Sequence, residues 1–122
     1  MEKTCAELVL EMKNEVMKDI RGILEKNDRQ EFLDYILCVD YVEKDTFLDQ
    51  PEGYWRVQLS WGGPADELRY FVKSEDVVVV EYWYLDWHDG AHIVLADEEK
   101  QMALEFYVKC RKANTEPEKR WK

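Results

Sequence analysis

The sequence predicts an α+β fold: an antiparallel sheet of four to five strands packed against N-terminal and C-terminal helices as a two-layer sandwich. Three observations carry this expectation. Apolar residues recur every three or four positions from Cys5 to Leu24, the period of an amphipathic helix. Between residues 37 and 95, β-rich segments are separated by turn signals, of which Asp89-Gly90 is the strongest. A second helical stripe follows Asp97. At 122 residues the chain is expected to form one domain over 1–112, large enough to bury a core without metal or disulfide, followed by a flexible basic tail over 113–122.

The first helix is expected over residues 3–26, with Cys5, Val9, Met12, Val16, Ile20 and Ile23 as its stripe and Leu8, Met17 and Leu24 widening it. Thr4 and Glu7 have capping-box spacing, and Asn27 suits a helix stop. Asp28 can cap a short helix to about Ile36, which then runs into a strand near Leu37–Val42. Glu43–Gly53 reads as a polar loop broken by Pro51 and Gly53. Trp55, Val57, Leu59 and Trp61 alternate with Arg56, Gln58 and Ser60, the pattern of a strand with one wet face. Gly62-Gly63-Pro64 turns the chain into a strand over Leu68–Val72. A long strand follows from Val77 to Asp86, and Ala91–Leu95 returns after Asp89-Gly90. The last helix runs from Asp97 to about Arg111 with Met102, Ala103, Phe106 and Cys110 on its stripe.

The formal net charge is −10, and residues 66–99 hold ten acids against Arg69 and Lys73. Such a field repels nucleic acid and anionic membrane and attracts basic protein surfaces, so the expected partner is a protein with a basic surface, with no direct nucleic-acid or membrane binding. Cys5, Cys38 and Cys110 are far apart and lack Cys-x-x-Cys spacing, which suggests free thiols in a reducing cytoplasm. No apolar run is long enough to span a bilayer, and no cofactor motif is present.

Sequence alone leaves three candidate sites. Both histidines fall in one segment, where Asp86, His88 and His92 could reach a metal, but a turn at Asp89-Gly90 sends the histidines onto opposite arms and no further ligand is placed by spacing. Ser60 and Ser74 lack the surroundings of a nucleophile, so an enzyme is not the expectation. A surface patch is the better candidate: Tyr82 and Tyr84 on one sheet face with Phe71 beside them and Trp87 nearby, rimmed by Asp66, Glu67, Glu81, Asp86 and Asp89, with Asp45 and Asp49 in the preceding loop. Aromatic anchors inside a charged rim suit a protein interface. The opposite arrangement, with helices covering the same tyrosines, fits the pattern equally well.

The run Val57-Gln58-Leu59-Ser60-Trp61-Gly62-Gly63-Pro64, followed by Glu81-Tyr82-Trp83-Tyr84 and Asp86-Trp87-His88-Asp89-Gly90-Ala91, resembles small uncharacterised acidic proteins of phages, plasmids and conjugative elements over residues 37–95. The resemblance implies a mobile-element setting and brings no catalytic residues with it. In that setting the acidity suggests a non-enzymatic inhibitor or decoy that mimics DNA to block a restriction or CRISPR effector. Duplex DNA carries a charge every ~1.7 Å of axis, and Asp40–Glu52 with Asp66–Glu99 are the acid-rich stretches to match it. The alternatives are an accessory or homodimerising domain that uses its aromatic face, and a small metal-dependent enzyme at Asp86, His88 and His92.

Overall fold

A computed structural model of the chain describes residues 3–61, 64–86 and 89–115. Helix α1, Cys5–Lys26, begins at the predicted capping box, in which the Thr4 hydroxyl accepts from the Glu7 amide and the Glu7 carboxylate accepts from the Thr4 amide. It ends at Asn27, whose left-handed φ of 50° lets its N–H return to the Ile23 carbonyl. Asp28 caps α2, Arg29–Tyr35, by accepting from the Gln30 amide at 2.9 Å. The sheet follows as β1, Cys38–Val42; β2, Tyr54–Ser60; β3, Ala65–Val72; β4, Val78–Asp86; and β5, Asp89–Val94. Helix α3, Asp97–Thr115, closes the described chain. The expected α+β sandwich is therefore the observed one: an antiparallel five-stranded meander in the order β1-β2-β3-β4-β5, with helices on one face.

Cross-strand register decides which side chains face the helices. Val39, Val57, Leu68, Tyr82 and Ile93 form one row, and Trp55, Tyr70 and Val80 the next. With Ile20, Met17, Phe32, Ala103 and Phe106 from the helices they make a single core. The Tyr70 hydroxyl donates to the Ala103 carbonyl at 2.7 Å, tying sheet to α3, and Tyr107 packs over Trp55 and Tyr70. One core position of α1 is charged: Lys13, 8% exposed, meets both Glu99 oxygens at 2.9 Å. Its aliphatic stem lies in the stripe and its ammonium reaches the acidic first turn of α3.

Three expectations are corrected here. Helix α3 continues past Arg111 to Thr115 and buries Ala113 fully, so the domain does not end at 112; residues 116–122 lie outside the described chain. Strand β3 starts at Ala65, which draws Asp66 and Glu67 into the sheet. A bulge between Gln58 and Ser60 adds one residue to β2 and reverses the alternation after Leu59. Trp61 consequently leaves the face shared by Trp55, Val57 and Leu59. The Gly62-Gly63 part of the predicted turn lies outside the described residues.

Candidate functional site

The sheet face turned away from the helices carries the candidate site. Its residues fall into rows set by the ladder. Val42, Tyr54, Phe71 and Val79 form the first, from the continued registers of β1 to β4. The second is Asp40, Arg56, Arg69, Glu81 and Val94, an acid-base-base-acid sequence across four strands and then an apolar edge. The third is Cys38, Gln58, Glu67, Trp83 and His92. Two arginines directly opposite one another on neighbouring strands repel unless each has its own counter-charge. Arg56 donates from Nε and Nη2 to the two Asp40 oxygens at 2.9 and 2.6 Å, which raises its pKa. Arg69 donates from Nε to Glu67 at 2.7 Å.

The Arg69 guanidinium also lies between two rings, 3.9 Å from the Trp83 centroid and 4.7 Å from that of Tyr54. His92 stacks on Trp83 at 4.4 Å, and the Trp83 indole N–H donates to Glu81 at 2.8 Å. An unbroken run of stacked π and cationic groups thus crosses from β5 to β2. Tyr54, at the far end, is 1% exposed, and its hydroxyl has no hydrogen-bond partner among the described residues. Burial raises its pKa, with Arg69 opposing the shift.

Above this floor opens a cavity of about 630 Å³. Its walls are the β1–β2 loop, from Phe47 to Glu52, on one side and Trp61, Ala65 and Leu85 on the other. Gln50 builds that loop: its carbonyl oxygen accepts from the Thr46 and Phe47 amides, and its amide nitrogen donates to the Glu43 and Glu52 carbonyls. Asp45 and Asp49 take left-handed φ of 61° and 57°, a conformation aspartate tolerates better than most residues. The loop therefore holds Phe47 and Leu48 outward at 49% and 93% exposure, while Trp61 stands at 71%. Large apolar side chains are thus displayed together at the cavity mouth.

The predicted patch is rearranged. Tyr82 and Tyr84 do not share a face with Phe71: Phe71 pairs with Val79, whereas Tyr82 pairs with Leu68 and lies fully under the helices with Tyr84 beside it. The reason is parity, since even-numbered residues of β4 face the core. Burial pushes the pKa of both tyrosines up, with the Asp66 hydrogen bond adding to the shift for Tyr82. Asp66 is no rim acid either: it is 7% exposed and accepts from the Tyr82 and Ser60 hydroxyls at 2.7 and 2.5 Å. Asp89 accepts from the Cys5 amide at 2.8 Å, capping α1 from the start of β5, and that bond lowers its pKa. Glu67 and Glu81 belong to the open face, bound to Arg69 and Trp83. Asp86 pairs with Asp89 on the helix side while His92 stands opposite Trp83, so the proposed metal ligands Asp86 and His92 are on different faces. No metal-binding cluster forms among the described residues. Trp87 and His88 lie outside them.

Reasoning from sequence missed Tyr54, Arg56, Arg69, Trp83, Phe47, Leu48 and Trp61 as a group. Part of the signal was present: in the middle of β2, β3 and β4 charge falls at one alternation parity, at Arg56, at Glu67 and Arg69, and at Glu81, while Asp66 and Asp86 near the strand ends stand at the other. Aligning those parities names the open face. No family model, curated protein or solved structure matches the chain. Among the described residues, no helix is long and apolar enough to cross a membrane.

Proposed function

We propose that this protein is an interaction module that docks a partner protein onto the open face of its sheet, with Phe47, Leu48 and Trp61 as the apolar contacts. The observation that carries this reading is the internally hydrogen-bonded β1–β2 loop, which presents Leu48 at 93% exposure beside a 630 Å³ cavity with an aromatic floor. Exposing leucine, phenylalanine and tryptophan together gives no stability to the free chain, and burying them is what a partner would supply. A capture experiment with the tagged protein tests it, comparing wild type with Leu48→Asp and Trp61→Ala at low and at ~0.5 M salt, where charge contacts are screened. Both substituted residues are exposed, so the fold should persist. Capture, or self-association, should survive salt and disappear in both variants. Equal capture by the variants would remove the reading.

A second reading, the acidic decoy, keeps one specific support: Asp45 and Asp49 stand exposed on the same loop of a chain with net charge −10. Of its other nominated carboxylates, Asp66, Glu67, Glu81 and Asp89 are hydrogen-bonded within the protein, and Asp86 lies on the helix side of β4. Release of a nucleic-acid-binding enzyme by salt or competing DNA, with dependence on Asp45 and Asp49, would favour it over docking through Leu48.

A further inference from the structure

The hydrogen-bond inventory of the cavity floor is one-sided. Glu67 takes only the Nε–H of Arg69, so both of that guanidinium's Nη groups are uncommitted among the described residues. Asp40 takes Nε and Nη2 of Arg56 and leaves Nη1. Gln58 uses its carbonyl oxygen to accept from the Cys38 thiol at 2.7 Å and leaves its amide N–H₂. Tyr54 adds a buried hydroxyl without a partner. These four residues all line the cavity, on neighbouring positions of β2 and β3. Of these only the Tyr54 hydroxyl is a buried donor left unpaired, which is rare in a folded protein. The free N–H groups of Arg56, Arg69 and Gln58 belong to half-buried residues lining the same cavity, and together the four present donors to a ligand that brings acceptors.

Charge narrows the ligand further. Each arginine already has its own carboxylate, and Asp49, Glu52 and Glu81 lie in or beside the cavity wall with Lys73 paired to Glu52. The surroundings are net acidic, so an anion gains little. A cation is met by two guanidiniums, and the ring faces of Trp83 and Tyr54 that would attract it are occupied by Arg69. An uncharged acceptor satisfies both conditions. The flanking Phe47, Leu48, Trp61 and Leu85 ask for apolar surface next to it.

We infer that the cavity binds an amide carbonyl carried beside an apolar side chain, as in an uncharged segment of a partner polypeptide, with Tyr54, Arg56, Arg69 and Gln58 donating to the carbonyl oxygens. This rests on the docking reading and specifies the chemistry of the docked group. The test is a titration of the isotope-labelled wild-type chain followed by the indole N–H of Trp83 and the Nε–H of Arg56 and Arg69. N-acetylphenylalaninamide is the probe, compared with N-acetylphenylalanine, which is anionic, and phenethylamine, which is cationic and lacks an acceptor. The neutral amide should shift those signals and saturate with ~1 mM affinity, a value ordinary for a ligand of its size. The acid should bind about tenfold more weakly and the amine should leave the signals in place. Arg56→Lys, which keeps the charge but loses the planar fork, should weaken the amide at least about threefold. Phenethylamine binding as tightly as the amide, or silence of all three probes at ~10 mM, overturns the inference. Should capture depend on Leu48 and Trp61 while the probes stay silent, docking stands and the amide chemistry falls. Probe binding without any capture would instead leave an amide site on a surface that docks no protein.

Discussion

Replacing Arg69 with Met should be among the most damaging single changes available on the open face, and its cost can be worked from the surroundings. Its side chain and that of Glu67 are 13% and 7% exposed. Removing the guanidinium leaves the mostly buried Glu67 without its ion-pair partner, and Arg56, the cation that still feels it, is already bound to Asp40. Breaking one side of such a pair typically costs about 3–5 kcal/mol. The ring contacts with Trp83 at 3.9 Å and Tyr54 at 4.7 Å are lost too, at roughly 0.5–2 kcal/mol each. For a chain of this size the urea slope is about 1–3 kcal/mol per molar, so a loss near 4 kcal/mol moves the midpoint down by roughly 2 M. Urea titration followed by tryptophan fluorescence gives the number. The decisive comparison is the double variant Arg69→Met with Glu67→Gln, which removes the orphaned charge and should recover at least about 2 kcal/mol of the single variant's loss. Arg69→Lys should fall between, because an ammonium restores charge without the stacked plane. A single variant within about 1 kcal/mol of wild type, or a double variant no better than the single, would refute the claim that a buried charge pair holds the floor together.

Other predictions test the layers beneath. Tyr82→Phe deprives the buried Asp66 of one donor and should cost about 1–3 kcal/mol, visible as a thermal midpoint several degrees lower; an unchanged midpoint counts against that bond. Burial pushes the Cys110 thiol from the ordinary 9.0 up to about 12, so its contribution to stability is whole below pH 9 and fades as pH rises toward 12. The ionised thiolate of the unfolded chain is the cause, and the wild type should lose more urea stability between about pH 8 and 10.5 than Cys110→Ala does; equal losses would exclude the thiol. Because the Cys5 amide holds the Asp89 carboxylate below its usual range, that bond is present at neutral pH and is lost as pH falls through the carboxylate's lowered value. Asp89→Ala should accordingly speed hydrogen exchange at the first turn of α1 while leaving the middle of the helix protected, and uniform protection would show that the cap contributes nothing there.

What the sequence determined by itself is local. The capping box at Thr4 and Glu7, the Asn27 stop and the Asp28 cap are short-range hydrogen-bonding instructions, and each appears where the residues place it. The helical stripes and the alternation of β2 likewise need only the period of one element, so the α+β class and its antiparallel sheet were legible from the chain. Which face of each strand meets the helices was not. Tyr82 and Trp83 are equally apolar to a pattern reader, and only the pairing of Leu68 with Tyr82 and of Glu67 with Trp83 assigns one to the core and the other to the cavity floor. The β2 bulge turned Trp61 outward, a one-residue slip that leaves no mark in composition. Distance in sequence hid the rest: Asp40 with Arg56, Lys13 with Glu99 and Cys5 with Asp89 become partners only when the meander and helices pack. The acids that made the chain look like a display of free negative charge include several drawn inward by those contacts. Their solvation was decided by tertiary structure, because burying a carboxylate is tolerated only where a donor has been brought to meet it.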